Sequence, residues 1–325
     1  MCGAEVLLIT HVLASTFVSE DVQEPFVGVV VRQQRWDDPD NDVFVAEIDL
    51  CAAGISVLAT EAPSSRQTAG AWAEDVGAQL AVNGDFYSST SVYGDAVGGG
   101  ERWPLDQLGV DDDTLALVSG FPQLVYGGEV YTCVSPTDSD CFPDRSDMRD
   151  RHPRTAMWLS VDRRTLIFAV VDGRSTRSSG MYGAELAELM GALGAWQAFN
   201  LDGGGSSTFW VEGSGALNEP SDGSMRSVAN HWGVVASGSG EAGHCLVEEG
   251  CFALPVDGAG HFADMVDDDE VLAVLAQLGP RGPGRSELHG RRRDLGALRG
   301  GPAGRVRRRG LRGGPLLSRR RPGPS

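Results

Sequence analysis

Short apolar runs alternate with turn-forming residues over most of the first 240 positions. The runs at 26–31 and 43–50 have the composition of β-strands, and the second also has a period of two. Runs at 155–161 and 166–171 flank a polar triplet and predict a β-hairpin. The same signals predict further short strands at 80–82, 115–118, 123–126, 129–132, 199–201, 208–211 and 230–236.

Two segments carry helical periodicity instead. Apolar residues at 186, 189, 190 and 193 follow the i, i+3, i+4, i+7 pattern and stop at Gly194, which predicts a helix with a buried stripe. A shorter helix is predicted over 67–76. Since strands outnumber helices, we expect an α+β (mixed α/β) fold, a strand-rich single domain with few inserted helices.

Changes in composition divide the chain into four segments. Residues 1–24 form an N-terminal segment that is a candidate remnant of an export signal, and 25–237 form the main domain. Residues 238–278 are a cysteine-containing linker with a short amphipathic helix. Residues 279–325 are rich in Arg, Gly and Pro, which predicts a disordered tail. A polyanion-binding tail and an unselected, compositionally biased terminus are the two interpretations of this last segment.

The charge is acidic and unevenly distributed. The 325 residues carry a net charge of -18, and every basic residue other than histidine is Arg. Residues 279–325 hold 14 Arg and two acids, so the remaining chain is strongly negative. A body of that charge repels phosphate backbones, which excludes general nucleic-acid binding by the folded part. The sequence contains no apolar run of about 18 residues, so we expect no transmembrane segment.

The six cysteines favour an oxidising compartment. Cys133 with Cys141 and Cys245 with Cys251 each close a short loop, and no C-x-x-C spacing occurs. We therefore predict two local disulfides and a secreted, periplasmic or cell-surface location. Cys51 either pairs with Cys2 or stays alone.

Two predicted strands end in the same kind of sequence, an Asn followed by an acid and glycines. One is the stretch NGDFY at 83–87, and the other is NLDGGGSS at 200–207. A carboxylate there lies where a sheet opens, and the glycines let backbone N–H groups approach an anion. Three glycines are costly if they only make a turn, so Asp85 and Asp202 are candidate functional carboxylates. The alternative is a tight hairpin whose Asp caps the turn.

Three arginines lie at predicted strand ends. They are Arg154, Arg174 and Arg226. A guanidinium group binds phosphate or carboxylate in a bidentate manner, so together they indicate an anionic ligand or leaving group. For any one of them alone, a surface salt bridge is the simpler interpretation.

Six short motifs occur in a characteristic order. They are NGDFY at 83–87, RTA at 154–156, VVDGR at 170–174, SSGM at 178–181, NLDGGGSST at 200–208 and RSVANHWGV at 226–234. In these motifs the chain resembles the phosphodiester glycosidase family over about 25–237. Tyr87 and Ser227 depart from the family's usual Phe and Pro.

The resemblance implies a catalytic domain that hydrolyses the glycosidic bond of a sugar-1-phosphodiester, of the N-acetylglucosamine-1-phosphodiester kind or a phosphorylated glycan. Free sugar and a phosphomonoester would result, with no required cofactor. Asp202 is our first choice for the catalytic carboxylate and Asp85 the second, followed by Asp172 and Glu185. Substrate binding is expected from Asn83, Arg154, Arg174, Asn200, Gly203, Gly204, Gly205, Ser206, Ser207 and Arg226. The identity of the sugar and the stereochemical course stay open.

Two alternatives remain. A non-catalytic carbohydrate- or exopolysaccharide-binding protein on the same fold would use the tryptophans as sugar platforms. A structural Ca²⁺ or Mg²⁺ ion is the second, with oxygen ligands from Asp85, Asp95, Asp202 and Asp222. Zinc is not expected because the histidines lack paired spacing. We expect His231 to be packed in the core and His152 to border the site.

Overall fold

A computed structural model describes residues 15–62, 65–89, 91–104 and 114–240, together with short backbone stretches at 11–12 and 273–274. The linker and tail predicted from 241 onward, Cys2 and the Cys245/Cys251 pair therefore lie outside the described residues, apart from the strand at 273–274.

The described chain is mostly β-structure with two α-helices, α1 (Ala69–Val76) and α2 (Gly183–Ala192). Short 3₁₀ turns lie at Ser146–Arg149 and Gly204–Ser206. The strands are β1 (His11–Val12), β2 (Ser15–Phe26), β3 (Val29–Asp37), β4 (Asn41–Asp49), β5 (Ile55–Ala59), β6 (Leu80–Asn83), β7 (Tyr87–Ser88), β8 (Ser91–Val92), β9 (Val97–Gly98), β10 (Glu101–Arg102), β11 (Val118–Ser119), β12 (Gln123–Tyr126), β13 (Glu129–Val130), β14 (Arg154–Leu159), β15 (Thr165–Val171), β16 (Gln197–Asn200), β17 (Phe209–Val211), β18 (Gly215–Ala216), β19 (His231–Ala236) and β20 (Ala273–Val274).

Two antiparallel sheets organise the fold. The larger has nine strands in the order β1-β2-β3-β4-β15-β14-β16-β12-β13, and the smaller has five in the order β18-β17-β6-β19-β5. Three two-stranded ribbons, β7–β8, β9–β10 and β11–β20, complete the described strands. The expected strand-rich fold is confirmed. The α+β label fits it only roughly, because β-structure dominates and just two helices pack on the sheets.

The core lies between the two sheets and beneath α2. Along β15, Leu166, Phe168 and Val170 face the space between the sheets, whereas Ile167 and Val171 face the opposite side. Successive side chains of a strand point to opposite faces, and here both faces are covered. The strand therefore appears in the sequence as one continuous apolar run.

Helix α2 covers the outer face of the large sheet, with Leu186, Leu189 and Met190 fully buried. The predicted apolar stripe is therefore core packing. Helix α1 covers the small sheet through Trp72 and Ala73. The Ala71 N–H donates to Oγ1 of Thr68 at 3.2 Å, which caps the start of α1.

The N-terminal strands differ from the prediction. Residues 26–31 are not one strand, because Gly28 at φ +77° forms the turn between β2 and β3. Strand β2 is exposed at most of its positions and has no apolar alternation, so its sequence carried no strand signal. It begins at Ser15, so the main domain includes residues that the boundary at 25 leaves out.

One of the predicted disulfides is confirmed. Cys133 and Cys141 are bonded, with their Cα atoms 5.4 Å apart. Cys51 is also disulfide-bonded, so it is not a lone thiol. Neither α1 nor α2, the helices of the described residues, is long and apolar enough to cross a bilayer.

Candidate active site

The two Asn–acid–glycine motifs meet where β6 and β16 end. The Asp202 N–H donates to the Gly84 carbonyl at 3.1 Å, and Nδ2 of Asn83 donates to the Asp202 carbonyl at 2.6 Å. Oδ1 of Asn83 accepts from Oγ1 of Thr155 at 2.8 Å and from the Thr208 N–H at 3.2 Å. Asn83 thus ties both motifs to β14. Its buried side chain positions Asp202.

Residues 203–207 form a glycine loop that leaves Asp202 and passes between two arginines. The guanidinium of Arg174 lies 3.1 Å from the point where a Cβ on Gly204 would sit. A Cβ on Gly205 would overlap Arg226 and Asp222. The absence of side chains at these two positions therefore lets both guanidinium groups lie against the loop.

The two flanking arginines are held differently. Nη2 of Arg226 pairs with Oδ2 of Asp222 at 2.7 Å, and its Nη1 donates to Oγ of Ser206 at 3.3 Å. Arg174 is exposed and adopts φ +61°, a left-handed conformation that is costly for a residue with a side chain. Its Nη2 lies 3.3 Å from Nδ1 of His152, which therefore borders the site as predicted. Burial and the charges of Arg154 and Arg174 lower the pKa of His152.

Asp202 is half-buried at the foot of the loop. Its Oδ1 accepts from the Gly203 N–H at 2.9 Å. Burial raises the pKa of this carboxyl group, while hydrogen bonds from Ser206 and Gly203 and the charges of Arg226 and Arg145 oppose the rise. The charges of Arg226 and Arg145 thus favour the carboxylate form of Asp202.

Asp85 is fully buried close to Asp202. Its N–H donates to Oδ1 of Asn230 at 2.9 Å, and Nδ2 of Asn230 donates back to its Oδ2. Oδ1 of Asp85 has no hydrogen-bond partner among the described residues. Burial raises its pKa well above the ordinary 3.8, and the nearby charges of Asp202 and Asp95 add to the rise. Burial therefore favours the protonated form of Asp85.

A cavity of about 440 Å³ opens beside Asp85. Its walls are formed by Asp85, Phe86, Tyr93, Gly94, Ser119, Gly120, Phe121, Arg145 and Asp147. The Arg145 guanidinium carbon lies 4.4 Å from the centre of the Phe86 ring and 5.3 Å from that of Phe121. Sequence reasoning missed Arg145 because its loop carries no motif. The disulfide closing that loop was the available signal.

Two of the predicted acids have structural partners. Asp172 accepts from Nδ2 of Asn218 at 3.0 Å and from the Glu219 N–H at 2.8 Å, and burial raises its pKa to about 6. Glu185 accepts from Arg151 and from the Tyr182 N–H, which caps the start of α2. Both carboxylates are thus committed to holding chain segments together.

Arg154 does not reach the glycine loop with its guanidinium. It is 2% exposed and donates to the carbonyls of Met181, Asp147 and Asp150 at 2.7–3.0 Å. Burial lowers its pKa to about 10. Its side chain anchors the segment that carries Arg145, and phosphate binding by Arg154 stays a prediction.

The remaining predicted binding residues are buried near the loop. Nδ2 of Asn200 donates to the Phe121 carbonyl at 3.1 Å. Oδ1 of Asn200 and Oγ of Ser207 have no partner among the described residues. The Ser207 carbonyl accepts from Asn218, a residue that the sequence did not single out.

His231 is packed as expected. Its ring stacks on Trp72 with centroids 5.0 Å apart and contacts Oγ1 of Thr60, and burial lowers its pKa to about 4. Within the described ranges, no three His, Cys, Asp or Glu residues form a group that could hold a metal ion. Of the four acids considered for Ca²⁺ or Mg²⁺, Asp222 pairs with Arg226.

Two solved structures align with this chain at low sequence identity. A hypothetical protein from Synechocystis aligns with a TM-score of 0.52 and 14% identity, over 67% of this chain and 64% of that one. The zebrafish N-acetylglucosamine-1-phosphodiester α-N-acetylglucosaminidase catalytic domain, auto-inhibited by its pro-peptide, aligns with a TM-score of 0.49 and 20% identity, over 68% and 87% of the two chains.

Sequence comparison gives two further matches. The SPbeta prophage-derived uncharacterized protein YomE of Bacillus subtilis (strain 168) is 44% identical over 85 residues, which is 26% of this chain and 13% of that protein's length. The family model described as phosphodiester glycosidase matches residues 93–235. The matched range contains Asp202, the glycine loop and both flanking arginines. The resemblance inferred from the motifs is confirmed over residues 93–235, which match the phosphodiester glycosidase family model.

Proposed function

We propose that the protein is a hydrolase that cleaves the glycosidic bond of a sugar-1-phosphodiester, of the N-acetylglucosamine-1-phosphodiester kind. The observation that carries the proposal is the placement of Asp202 at the foot of a glycine loop flanked by Arg174 and Arg226. The family of residues 93–235 supports the same class of activity.

In this proposal the glycine loop binds the phosphate group of the substrate. Arg174 and Arg226 present positive charge on either side of Gly204 and Gly205. Preorganised cations and N–H groups stabilise charge that develops in a transition state. As the C1–O bond breaks, its electron pair stays on the phosphate oxygen, and the two arginines stabilise that negative charge.

The two acids take different roles because their environments differ. Asp202 faces arginines and serves as the carboxylate that stabilises or attacks the oxocarbenium-like sugar carbon. Asp85 is buried close to Asp202, and burial raises its pKa well above 3.8, so it serves as a hydrogen-bond or proton donor. A water molecule supplies the oxygen that ends on C1, and its protons end on the sugar hydroxyl and in solution or on the phosphomonoester.

The direct test is incubation of the purified chain with aryl phosphodiesters of N-acetylglucosamine-1-phosphate and of other sugar-1-phosphates. We expect free sugar and aryl phosphate in equal amounts. The isosteric change Asp202→Asn should lower kcat by about 10²–10³-fold, the range typical of removing a charge-stabilising group. Arg163→Gln, an exposed change in the β14–β15 turn, is the control. Folded wild-type protein that releases no sugar from any of these esters would refute the proposal.

A carbohydrate-binding protein without catalysis is the second candidate, favoured by the aromatic walls of the cavity. For a binding protein, Asp202→Asn and the wild type would have the same sugar affinity, and the wild type would hydrolyse none of the esters.

We also propose that the protein functions in an oxidising compartment, at the cell surface or outside the cytoplasm. The Cys133–Cys141 bond and the bonded Cys51 support this location. Fractionation of cells that produce the full chain, with thiol labelling of each fraction, tests it. Reduced cysteines in a cytoplasmic pool would refute it.

A further inference from the structure

Arg145 reaches the cavity from a segment that none of the family motifs includes. Residues 133–149 are closed at one end by the Cys133–Cys141 disulfide. Nη1 of Arg149 donates to the carbonyls of Cys141 and Phe142 at 3.3 and 3.0 Å. Nη2 of Arg154 donates to the Asp147 carbonyl at 2.7 Å from the other side. These contacts fix the segment, so the position of Arg145 is built into the fold.

The side chain of Arg145 is held on three sides. Its Nε and Nη2 donate to the two carboxylate oxygens of Asp147 at 2.8 and 2.7 Å, and its Nη1 donates to the Phe121 carbonyl at 2.7 Å. A guanidinium group has five N–H donors, so two remain for a ligand once these three bonds are made. Phe86 and Phe121 lie against its faces. Arg145 and Asp147 both line the cavity.

This lining suits an uncharged ring better than a phosphate. Asp147 neutralises Arg145, and Asp85 places a second acid in the wall. A phosphodiester bound there would meet two carboxyl groups and aromatic surface. A sugar ring would place its C–H face on Phe86 or Phe121. One of its hydroxyl groups would donate a hydrogen bond to Asp147, and its hydroxyl oxygens would accept hydrogen bonds from the remaining N–H groups of Arg145.

We propose that this cavity is the sugar subsite and that Arg145, paired with Asp147, determines which sugar is accepted, while the phosphate lies on the glycine loop between Arg174 and Arg226. The inference rests on the proposed function, since it divides one substrate between two neighbouring regions. It assigns recognition of the sugar to a segment that the family motifs do not mark.

The test measures binding of the two halves of the substrate separately, by ligand-observed NMR titration of the full chain. N-acetylglucosamine, glucose and mannose are the probes for the sugar half, and methyl phosphate is the probe for the phosphate half. Arg145→Met should weaken binding of the preferred sugar at least about 10-fold, the effect of losing more than one hydrogen bond to a charged group. Its binding of methyl phosphate should change less than about 2-fold. Arg226→Met should show the reverse pattern.

Asp147→Asn is the second variant, because it keeps the shape of the pair and changes only its charge and acceptors. Its sugar preference among the three probes should change. Arg163→Met is the charge-removal control and should bind both probes like the wild-type protein. Loss of phosphate binding with retained sugar binding in Arg145→Met would overturn the proposal, as would unchanged sugar binding in both variants. Separate sugar and phosphate binding without turnover in the wild type would uphold the subsite and refute the hydrolase.

Discussion

The pH dependence of folding stability at Asp172 provides a quantitative test of the structure. The carboxyl group is 5% exposed and accepts hydrogen bonds from Asn218 and Glu219. Burial raises its pKa from 3.8 to about 6. Because the folded state holds this proton more tightly than the unfolded state does, the stability that Asp172 contributes is complete below pH 3.8. It is lost as the pH rises through 6.

The magnitude follows from the shift. One pKa unit corresponds to about 1.4 kcal/mol, so the contribution of Asp172 to the free energy of unfolding falls by about 3 kcal/mol between pH 4 and pH 7. Other acids also titrate over this range. Comparison with Asp172→Asn cancels their contribution, since the variant keeps the other acids and has no titrating group at position 172.

The assay is urea denaturation of the wild-type protein and of Asp172→Asn at several pH values from 4 to 8. We expect the difference in free energy of unfolding, wild type minus variant, to fall by about 3 kcal/mol as the pH rises. A difference that stays constant within about 0.5 kcal/mol would refute a raised pKa at Asp172. A difference that grows with pH would show that hydrogen bonds outweigh burial there.

Two further predictions concern the loops around the site. In Gly205→Ala, the added Cβ would displace Arg226, so kcat/KM on a sugar-1-phosphodiester should fall at least about 10-fold. The control is Gly213→Ala, at a turn with open space around it, which should lower thermal stability while kcat/KM stays near the wild-type value. Equal losses of kcat/KM in both variants would contradict the argument. Replacing both Cys133 and Cys141 with Ser opens a short loop and should cost about 2–3 kcal/mol in urea denaturation. The same double variant should bind N-acetylglucosamine more weakly than the wild type, and unchanged sugar binding would show that the disulfide does not hold Arg145.

The order of strands and helices was largely predictable from the sequence, because the patterns that define them are local. The strand at 123–126, the β14–β15 hairpin and helix α2 occur where the periodicity placed them. Buried faces impose a period of 2 or 3.6 on the sequence, and that period is readable without a structure. Strand β2 was missed because it has no buried face, and its exposed side chains impose no period.

The sequence identified the two Asn–acid–glycine motifs but left open whether they converge, and the structure brings them into contact through Asn83. The role of each residue remains a prediction. The sequence did not distinguish arginines at a site from arginines inside the fold. Arg154 and Arg226 have similar sequence contexts, yet one donates to buried carbonyls and the other lies on the glycine loop.

The sequence by itself determined the strand-rich fold, the disulfide loop and the residues that mark the family. Only the tertiary structure decided which charges face one another. Arg145 lies 59 positions after Phe86 and 24 after Phe121, and no periodicity in the chain relates them. Its place in the cavity depends on how loops from separate strands pack. That packing is set by long-range contacts, and a local pattern of residues does not encode it.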